Sequence, residues 1–413
     1  MPVSGQTARQ EIVMNKHMSS SFAVASDQSL IAASTSLFAP TEPMPFNAAS
    51  PPIFQTSLFT FDSYAAIEAV FAGRSDDFIY SRGNNPTVEE FERLIAILEG
   101  AEAARGFSSG TGAITAALLA FVEAGDRIVA VRNVYNDVYC LFTKLLGKFG
   151  VTVDYVDASD PAKVAAVLPG AKLLYLENPT SMVFEIQDIA ALAALARQHG
   201  VLTMIDNSWA TPLFQKPILH GVDLVIHAAS KYLGGHSDTV AGVVAGSKAH
   251  IARINRMTYP YLGAKLSPFE AWLLLRGMRT LPLRMAQHMK SGLVLAERLK
   301  NHQAIARVRH PAFSDHPGKA SLTGFAGLFA FDVTDAIDVP AFVDALRHIR
   351  LGVSWGGPET LIVPAQAPLR LPEESNSFVR FGVTDRTIRF AVGLEDPDLL
   401  WSDLDQALER GRR

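Results

Sequence analysis

Short apolar runs and longer amphipathic segments alternate along the chain from about residue 88 onward. The apolar runs are rich in Val, Ile and Leu and predict four strands, at 127–132, 172–178, 201–207 and 222–230. Their nearly continuous hydrophobicity is typical of strands that are buried on both faces, as in a parallel sheet. The amphipathic segments predict helices at 111–123, 137–149, 161–168 and 189–199. This alternation predicts an α/β fold, in which helices flank a mainly parallel sheet.

A different pattern begins near Gly263. A long helical stretch occupies residues 267–302, and Pro282 is expected to break or kink it because proline lacks the backbone N–H group. Strand-like runs follow at 327–333, 351–364 and 387–394, with helices at 339–348 and about 396–410. We therefore predict a smaller α+β domain after the α/β domain. The predicted division is an N-terminal arm (1–63), an α/β domain (64–262) and an α+β domain (263–413).

The first 50 residues are rich in Ser, Ala and Thr, and prolines close the segment. They lack the basic start and continuous apolar block of a signal peptide. Roughly the first 45 residues are predicted to form a poorly ordered or extended arm. A weak transit peptide is the alternative, and Glu11 counts against it.

Composition narrows the class of protein. Charged residues make up 19% and apolar residues 48% of the 413 residues, as expected for a globular enzyme. The formal net charge of −4 comes without a basic patch, so we expect no nucleic-acid partner. The longest mainly apolar stretch, 107–122, is too short to cross a membrane. Cys140 is the only cysteine, which predicts a reducing, cytoplasmic location.

Several chemically active side chains follow the predicted strands. Tyr135, Glu177, Asp206 and the pair Ser230–Lys231 come at or just after the four strand ends. Because ligands of parallel sheets bind at the carboxyl ends of the strands, we expect these groups to converge. A further stretch, SSGTGA at 108–113, places a glycine-bearing turn before a helix, and free N–H groups there would bind a phosphate.

Each of these residues alone also has an ordinary structural interpretation. Tyr135 could pack, Asp206 could cap the next segment, and Lys231 could extend from a strand end to water. The combination of phosphate site, aromatic ring, buried carboxylate and lysine instead favours pyridoxal phosphate, which needs all four. His227 and His236 have no third ligand at a useful spacing, so no metal site is predicted.

Four motifs resemble one known family. They are YSRGNNPT (80–87), IDNSWATPLF (205–214), SKYLGGHSDTVAGVV (230–244) and IRFAVGLED (388–396). They are similar to the Cys/Met-metabolism pyridoxal-phosphate enzymes, which include cystathionine β-lyases, cystathionine γ-lyases, cystathionine γ-synthases and methionine γ-lyases. The resemblance covers about residue 50 to the C-terminus. It implies a fold-type I architecture with pyridoxal 5'-phosphate as the cofactor.

Within the family, the stretches 177–185, 205–210 and 354–362 look most like bacterial cystathionine β-lyases. Trp355 and Ser181 stand where γ-acting members usually carry Leu and Asn, and Ala228 stands where methionine γ-lyases carry a phosphate-binding Ser. Val353 departs from this pattern, because these β-lyases tend to have Tyr there and methionine γ-lyase has Val. That residue borders the substrate side chain.

The resemblance thus implies β-elimination, with cystathionine as the lead substrate and pyruvate, ammonia and a thiol as products. The first alternative is γ-elimination or γ-replacement of methionine, cystathionine or another γ-substituted amino acid such as canavanine. The second is a non-catalytic relative that binds the cofactor as a regulatory module.

The resemblance also implies roles for single residues. Lys231 would form the Schiff base and then carry protons, while Asp206 would pair with the pyridinium nitrogen. Tyr135 would stack on the cofactor ring and assist proton transfer. The backbone of Gly110 and Thr111 and the hydroxyl of Ser230 would bind the phosphate.

Other implied roles concern the substrate and the neighbouring subunit. Tyr80 and Arg82 would reach the phosphate from that subunit, and Tyr80 is also a candidate catalytic residue. This arrangement implies a homotetramer built from two dimers with shared active sites. Arg389 would bind the substrate carboxylate as a bidentate fork. Ser354 would help to position it, with Val353 and Trp355 beside the substrate side chain. The nearby Arg386 is expected to be a structural or surface residue.

Overall fold

A computed structural model describes residues 47–413. The predicted disordered arm, residues 1–45, lies outside the described residues. A seven-stranded sheet occupies the first part of the described chain, in the order β1-β7-β6-β5-β4-β2-β3. Its strands are β1 (Ala103–Phe107), β2 (Arg127–Val131), β3 (Thr152–Val156), β4 (Leu173–Glu177), β5 (Leu202–Asp206), β6 (Leu224–His227) and β7 (Gly242–Gly246).

This sheet is parallel except for β7, which pairs antiparallel with both β1 and β6. The four predicted strands are therefore confirmed as β2, β4, β5 and β6, which are parallel neighbours in the centre. Every residue of β4 and β6 is buried, as their continuous hydrophobicity indicates. Strands β1, β3 and β7 were not predicted from the sequence.

Nine α-helices belong to the part of the described chain that contains this sheet. They are α1 (Tyr64–Phe71), α2 (Pro86–Glu99), α3 (Gly110–Phe121), α4 (Asn136–Cys140), α5 (Pro161–Val167), α6 (Ile189–Gln198), α7 (Thr211–Phe214), α8 (Lys248–Met257) and α9 (Tyr259–Leu262). The first turn of α3 follows Ser109, whose hydroxyl accepts the N–H of Gly112 at 2.9 Å. In α6 the predicted apolar stripe is buried against the sheet.

The predicted helix 137–149 is wrong in its second half. The α-helix ends at Cys140 and is followed by a π-helical segment, Leu141–Leu145, and a 3₁₀ segment, Leu146–Phe149. The Thr143 hydroxyl donates to the backbone carbonyl of Tyr139 at 2.8 Å, a bond that competes with regular helix geometry. Gly150 then ends the segment in the left-handed conformation.

A second, five-stranded sheet has the order β10-β11-β12-β9-β8. Its strands are β8 (Ile305–Arg309), β9 (Leu328–Val333), β10 (Arg350–Leu351), β11 (Leu361–Pro364) and β12 (Thr387–Ala391). The helices of this region are α10 (Pro268–Met278), α11 (Leu281–Lys300), α12 (Val339–Asp344), α13 (Ser377–Arg380) and α14 (Pro397–Arg410). Pro282 lies in the first turn of α11, so the predicted break in the long helical stretch is confirmed.

The two sheets are linked through a shared apolar core. The indole N–H of Trp209, just after β5, donates to the carbonyl of Leu328 on β9 at 2.8 Å. The predicted strand 351–364 is in fact two short strands, and the loop between them, 352–360, reaches the ends of the first sheet. No helix within residues 47–413 is both long and apolar enough to cross a membrane. The domain boundaries at 63 and 262 stay a prediction.

Candidate active site

Lys231 lies just beyond β6, at the carboxyl edge of the first sheet. Its Nζ donates to the Oγ of Ser354 at 2.5 Å and lies 5.4 Å from the centroid of the Trp355 ring. Burial and the positive charge of Arg389 lower the pKa of Lys231 to about 8. At neutral pH a larger fraction of this amine is therefore neutral than for a lysine in water. The neutral form is the one that can act as a nucleophile or a base.

The loop that carries Ser354 is held tightly against Lys231. Ser354 has φ +81°, a conformation that is uncommon for a residue other than glycine. Gly356 has φ +90°, and a Cβ atom there would lie 2.7 Å from the backbone nitrogen of Tyr232. The two loops thus pack backbone against backbone, which fixes the serine hydroxyl beside the lysine.

Arg389 projects from β12 toward the same serine. Its Nη2 donates to the backbone carbonyl of Ser354 at 3.2 Å. Burial lowers the pKa of Arg389 to about 10, so the guanidinium remains charged at neutral pH. The second sheet therefore supplies a cation beside Lys231, in a position suited to a carboxylate ligand.

Asp206 ends β5 and is anchored by the residue two positions later. One oxygen, Oδ1, accepts the backbone N–H of Ser208 at 2.9 Å and its hydroxyl at 2.5 Å. The Ser208 hydroxyl in turn accepts the N–H of Ala228 at 2.7 Å. Burial raises the pKa of Asp206, and the bonds from Ser208 act against that rise. The other oxygen, Oδ2, receives no hydrogen bond from residues 47–413 and is free for a ligand.

Tyr135 follows β2 and is held by Glu177. Both carboxylate oxygens of Glu177 accept the Tyr135 backbone N–H, at 2.8 and 3.0 Å. Burial and the nearby Asp206 raise the pKa of Glu177 well above its usual value. Glu177 thus serves to position the Tyr135 backbone, whereas the Tyr135 ring remains partly exposed and its hydroxyl donates to Asp137 at 2.7 Å.

The SSGTGA stretch opens α3: Ser109 is the N-cap, and residues 110–113 form the first turn of the helix. The N–H groups of Gly110 and Thr111 have no acceptor within the described part of the chain, which suits an anion at this helix start. A Cβ atom at Gly110 would lie 2.9 Å from the Cβ of Ala228, so only glycine allows this close approach to the end of β6. The Ser230 hydroxyl accepts the N–H of Ala241 at 2.9 Å.

A family model for Cys/Met metabolism PLP-dependent enzymes matches residues 35–409 of the chain. The chain belongs to this family. Its cofactor is therefore pyridoxal phosphate, and the predicted membership and cofactor are confirmed.

Individual relatives carry different activities in their names. The chain is 37% identical to cystathionine gamma-lyase of Bacillus subtilis over 369 residues, covering 88% of this chain and 94% of the relative. It is 38% identical to cystathionine beta-lyase of Lactococcus lactis over 371 residues, with 88% and 94% covered. The crystal structure of cystathionine gamma-lyase from Lactobacillus plantarum complexed with L-serine matches with a TM-score of 0.84 at 35% identity, over 92% and 99% of the two chains. The fold-type I architecture is confirmed, and the chain is a lyase-type enzyme of this family.

The groups described above fit pyridoxal phosphate as this family uses it. A weakly basic primary amine is supplied by Lys231 and a free carboxylate oxygen by Asp206. Unpartnered N–H groups at the start of α3 suit the phosphate, and the Tyr135 ring suits stacking. Which of these residues contacts the cofactor stays a prediction.

Tyr80 and Arg82 are not brought to this cluster within one chain. Both are exposed, and the Arg82 guanidinium lies 5.6 Å from the Tyr80 ring centroid. Neither side chain forms a hydrogen bond to Lys231, Asp206 or Tyr135 among the described residues. The predicted role from a neighbouring subunit stays a prediction.

Val353 and Trp355 lie on the loop that carries Ser354, whereas His227 lies in the protein interior. Val353 is 80% exposed, and the Trp355 ring packs on Tyr232 with centroids 5.3 Å apart. His227 is buried and its Nε2 lies 2.5 Å from an oxygen of Glu99.

Other polar residues near this edge have protein partners of their own. His236 Nδ1 contacts the Gly234 carbonyl at 2.7 Å. Arg386 forms an ion pair with Asp335, as expected of a structural or surface arginine. Sequence reasoning missed Ser208 and Asp137, although each lies two positions after a residue that was identified.

Proposed function

We propose that this chain catalyses β-elimination of an L-amino acid with a leaving group on Cβ. Cystathionine is the lead substrate, and the products are pyruvate, ammonia and a thiol. The observation that carries the proposal is the Lys231 amine, with its lowered pKa, held by Ser354 beside the Trp355 ring. The resemblance associates Trp at this position with β-lyases and Leu with γ-acting enzymes.

The residues divide the work between binding and proton transfer. Pyridoxal phosphate, when bound, supplies an electron sink that makes the Cα–H bond acidic enough for an amine base to break. Lys231 and Asp206 would hold the cofactor, and Arg389 would bind the substrate carboxylate. Lys231 Nζ would then take the α-proton, a general-base step that its lowered pKa favours.

Tyr135 is suited to protonate the leaving sulfur. Burial and the hydrogen bond to Asp137 raise the pKa of Tyr135 above its usual value, which keeps the phenol protonated at neutral pH. The neutral phenol would give its proton to the departing thiolate, and the proton that Lys231 has taken from Cα would replace it. The C–S bond breaks, the electrons leave with sulfur, and water then releases ammonia from the remaining three-carbon enamine.

A second candidate is γ-elimination or γ-replacement. The exposed Val353 favours it, because the resemblance places Val there in methionine γ-lyase. The names of relatives include methionine gamma-lyase and O-succinylhomoserine sulfhydrylase as well as beta-lyase. γ-Elimination needs a second deprotonation, at Cβ, and yields 2-oxobutyrate from cystathionine or methionine.

A substrate panel with identified products distinguishes the two. The holoenzyme is incubated with cystathionine, cystine, methionine, homoserine derivatives and canavanine, and each keto acid is identified by mass spectrometry. We expect pyruvate from cystathionine and cystine. Formation of 2-oxobutyrate, or of homoserine from a non-sulfur substrate, would contradict β-elimination. The Lys231→Ala variant is the control for a non-enzymatic background.

The oligomer is part of the proposal. We propose a homotetramer in the cytoplasm, with Tyr80 and Arg82 completing the site of a neighbouring subunit. Two inactive variants, Lys231→Ala and Arg82→Ala, are mixed under subunit-exchange conditions. Recovered activity in the mixture would support a shared site, because one of the two sites in a mixed dimer is then intact. Absence of recovery after proven exchange would contradict it.

A further inference from the structure

Asp137 is an acidic residue at the pocket rim that the family resemblance does not explain. It lies in the first turn of α4, two residues after Tyr135, and its side chain is exposed. Its Oδ2 accepts the Tyr135 hydroxyl at 2.7 Å. Among residues 47–413, no hydrogen bond reaches Oδ1, and no Lys, Arg or His pairs with this carboxylate. The side chain therefore presents an unpaired negative charge.

The negative charge of Asp137 and the Tyr135 hydroxyl act as a pair. Burial lowers the pKa of Lys231 most strongly, while the negative charge of Asp137 acts in the opposite direction. The Asp137 carboxylate accepts the Tyr135 hydroxyl, the group that is proposed above to protonate the leaving sulfur. With Tyr135 in that role, the Asp137 charge lies beyond the leaving sulfur, beside the far end of the substrate side chain.

Three other acidic groups near this edge have hydrogen-bond donors of their own. Glu177 uses both oxygens on one backbone N–H, and burial favours its neutral form. Asp206 is anchored by Ser208 at the base of the site. Glu359 accepts the Ser237 hydroxyl at 2.5 Å. Asp137 differs from these three acids in contacting the Tyr135 hydroxyl, the proposed proton donor to the leaving sulfur.

Trp355 contributes an aromatic surface beside Lys231. Lys231 Nζ lies 5.4 Å from the Trp355 ring centroid, a cation–π distance. The face of the Trp355 ring is thus placed to interact with a cation. Val353, beside Trp355, adds apolar surface suited to the methylene groups of a substrate side chain.

We infer that Asp137 is a specificity-determining residue that binds a cationic group at the end of the substrate side chain. The preferred substrates are amino acids whose side chains carry a distal ammonium or guanidinium. The distal ammonium of cystathionine meets this requirement. The inference rests on the proposed function in taking Arg389 as the partner of the substrate α-carboxylate.

The test compares two amino acids of equal length that carry no leaving group. L-Ornithine ends in an ammonium where L-norleucine ends in a methyl group. Their dissociation constants for the holoenzyme are measured by calorimetry at neutral pH, for the wild type and for Asp137→Asn. Asparagine keeps an oxygen that can accept the Tyr135 hydroxyl but removes the charge. Asp315→Asn, an exposed acid on a distant loop, is the matched control.

We expect the wild type and Asp315→Asn to bind ornithine more tightly than norleucine. In Asp137→Asn, binding of ornithine should weaken roughly tenfold, as for loss of one charge-assisted hydrogen bond, while norleucine binding stays within about twofold. Asp137→Glu should restore part of the preference.

The inference would be overturned if the ratio of the ornithine and norleucine dissociation constants were the same in Asp137→Asn as in the wild type. Equal weakening of both ligands gives that result and would mean that Asp137 acts only through Tyr135. Neither ligand is converted to a keto acid. The result is therefore separate from the product test of β-elimination, and either hypothesis can fail without the other.

Discussion

Gly356→Ala tests whether the loop packed on Lys231 needs a residue without a side chain. Gly356 has φ +90°, and a Cβ atom there would lie 2.7 Å from Tyr232 N and 2.8 Å from the carbonyl carbon of Lys231. Both neighbours are backbone atoms and cannot rotate away. The methyl group must therefore push the loop, and Ser354 with it, away from the lysine.

The loss of stability in Gly356→Ala has two parts, which a control variant can separate. An L-residue in the left-handed region costs roughly 1–2 kcal/mol, and overpacking against fixed atoms typically costs about 1–3 kcal/mol more. Gly382 has φ +71°, and no atom lies within 4 Å of the position that a methyl group would take there, so Gly382→Ala carries the first cost alone. The two variants should then differ by about 1–3 kcal/mol in the free energy of unfolding.

Thermal unfolding of both holoenzymes, at equal protein and cofactor concentrations, measures this difference. For a chain of this length, we expect Gly356→Ala to have a Tm roughly 1–3 °C below that of Gly382→Ala. Its kcat should also fall, because Ser354 no longer positions the Lys231 amine, whereas kcat of Gly382→Ala should stay near the wild-type value. Equal Tm and equal kcat in the two variants would refute the packing argument.

Three further predictions concern ionisation, stability and product choice. The neutral amine of Lys231 reacts with the cofactor, so its lowered pKa predicts that the rate of cofactor uptake by the apoenzyme, followed by absorbance, rises through a midpoint near pH 8. Arg389→Ala should move that midpoint upward. A midpoint near the pKa of free lysine would contradict the assignment. The Glu99 side chain is fully buried and in hydrogen-bond contact with His227, so Glu99→Ala should cost about 1–3 kcal/mol in chemical unfolding by leaving a buried imidazole without its partner. A loss below about 0.5 kcal/mol would show that this contact does not stabilise the fold. Trp355→Leu should raise the ratio of 2-oxobutyrate to pyruvate formed from cystathionine, and an unchanged ratio would remove Trp355 as the determinant.

The central strands could be predicted because burial on both faces leaves a plain apolar signature. Strands β1, β3 and β7 could not be predicted from their own residues, since their stability comes from partners that are distant in the sequence. In β1, Arg105 lies over the Tyr259 ring at 4.5 Å and next to Glu92, so a charged residue is accommodated inside a sheet. Strand β7 begins and ends with glycine, a pattern typical of a loop, although all of its residues are buried.

The candidate active site, too, could be predicted from the sequence only in part. Residues at strand ends could be identified from their order along the chain, because parallel strands bring their carboxyl ends to one edge. The contact between Lys231 and Ser354 joins residues 123 positions apart and depends on how the two sheets pack. The pKa of Lys231 depends on that packing too, since burial is its main cause.

The most direct test of the proposed activity is the identity of the keto acid that the holoenzyme forms from L-cystathionine. β-Elimination predicts pyruvate with homocysteine and ammonia, and Lys231→Ala should form none of them. Formation of 2-oxobutyrate with cysteine would contradict the proposal and assign the chain to γ-elimination.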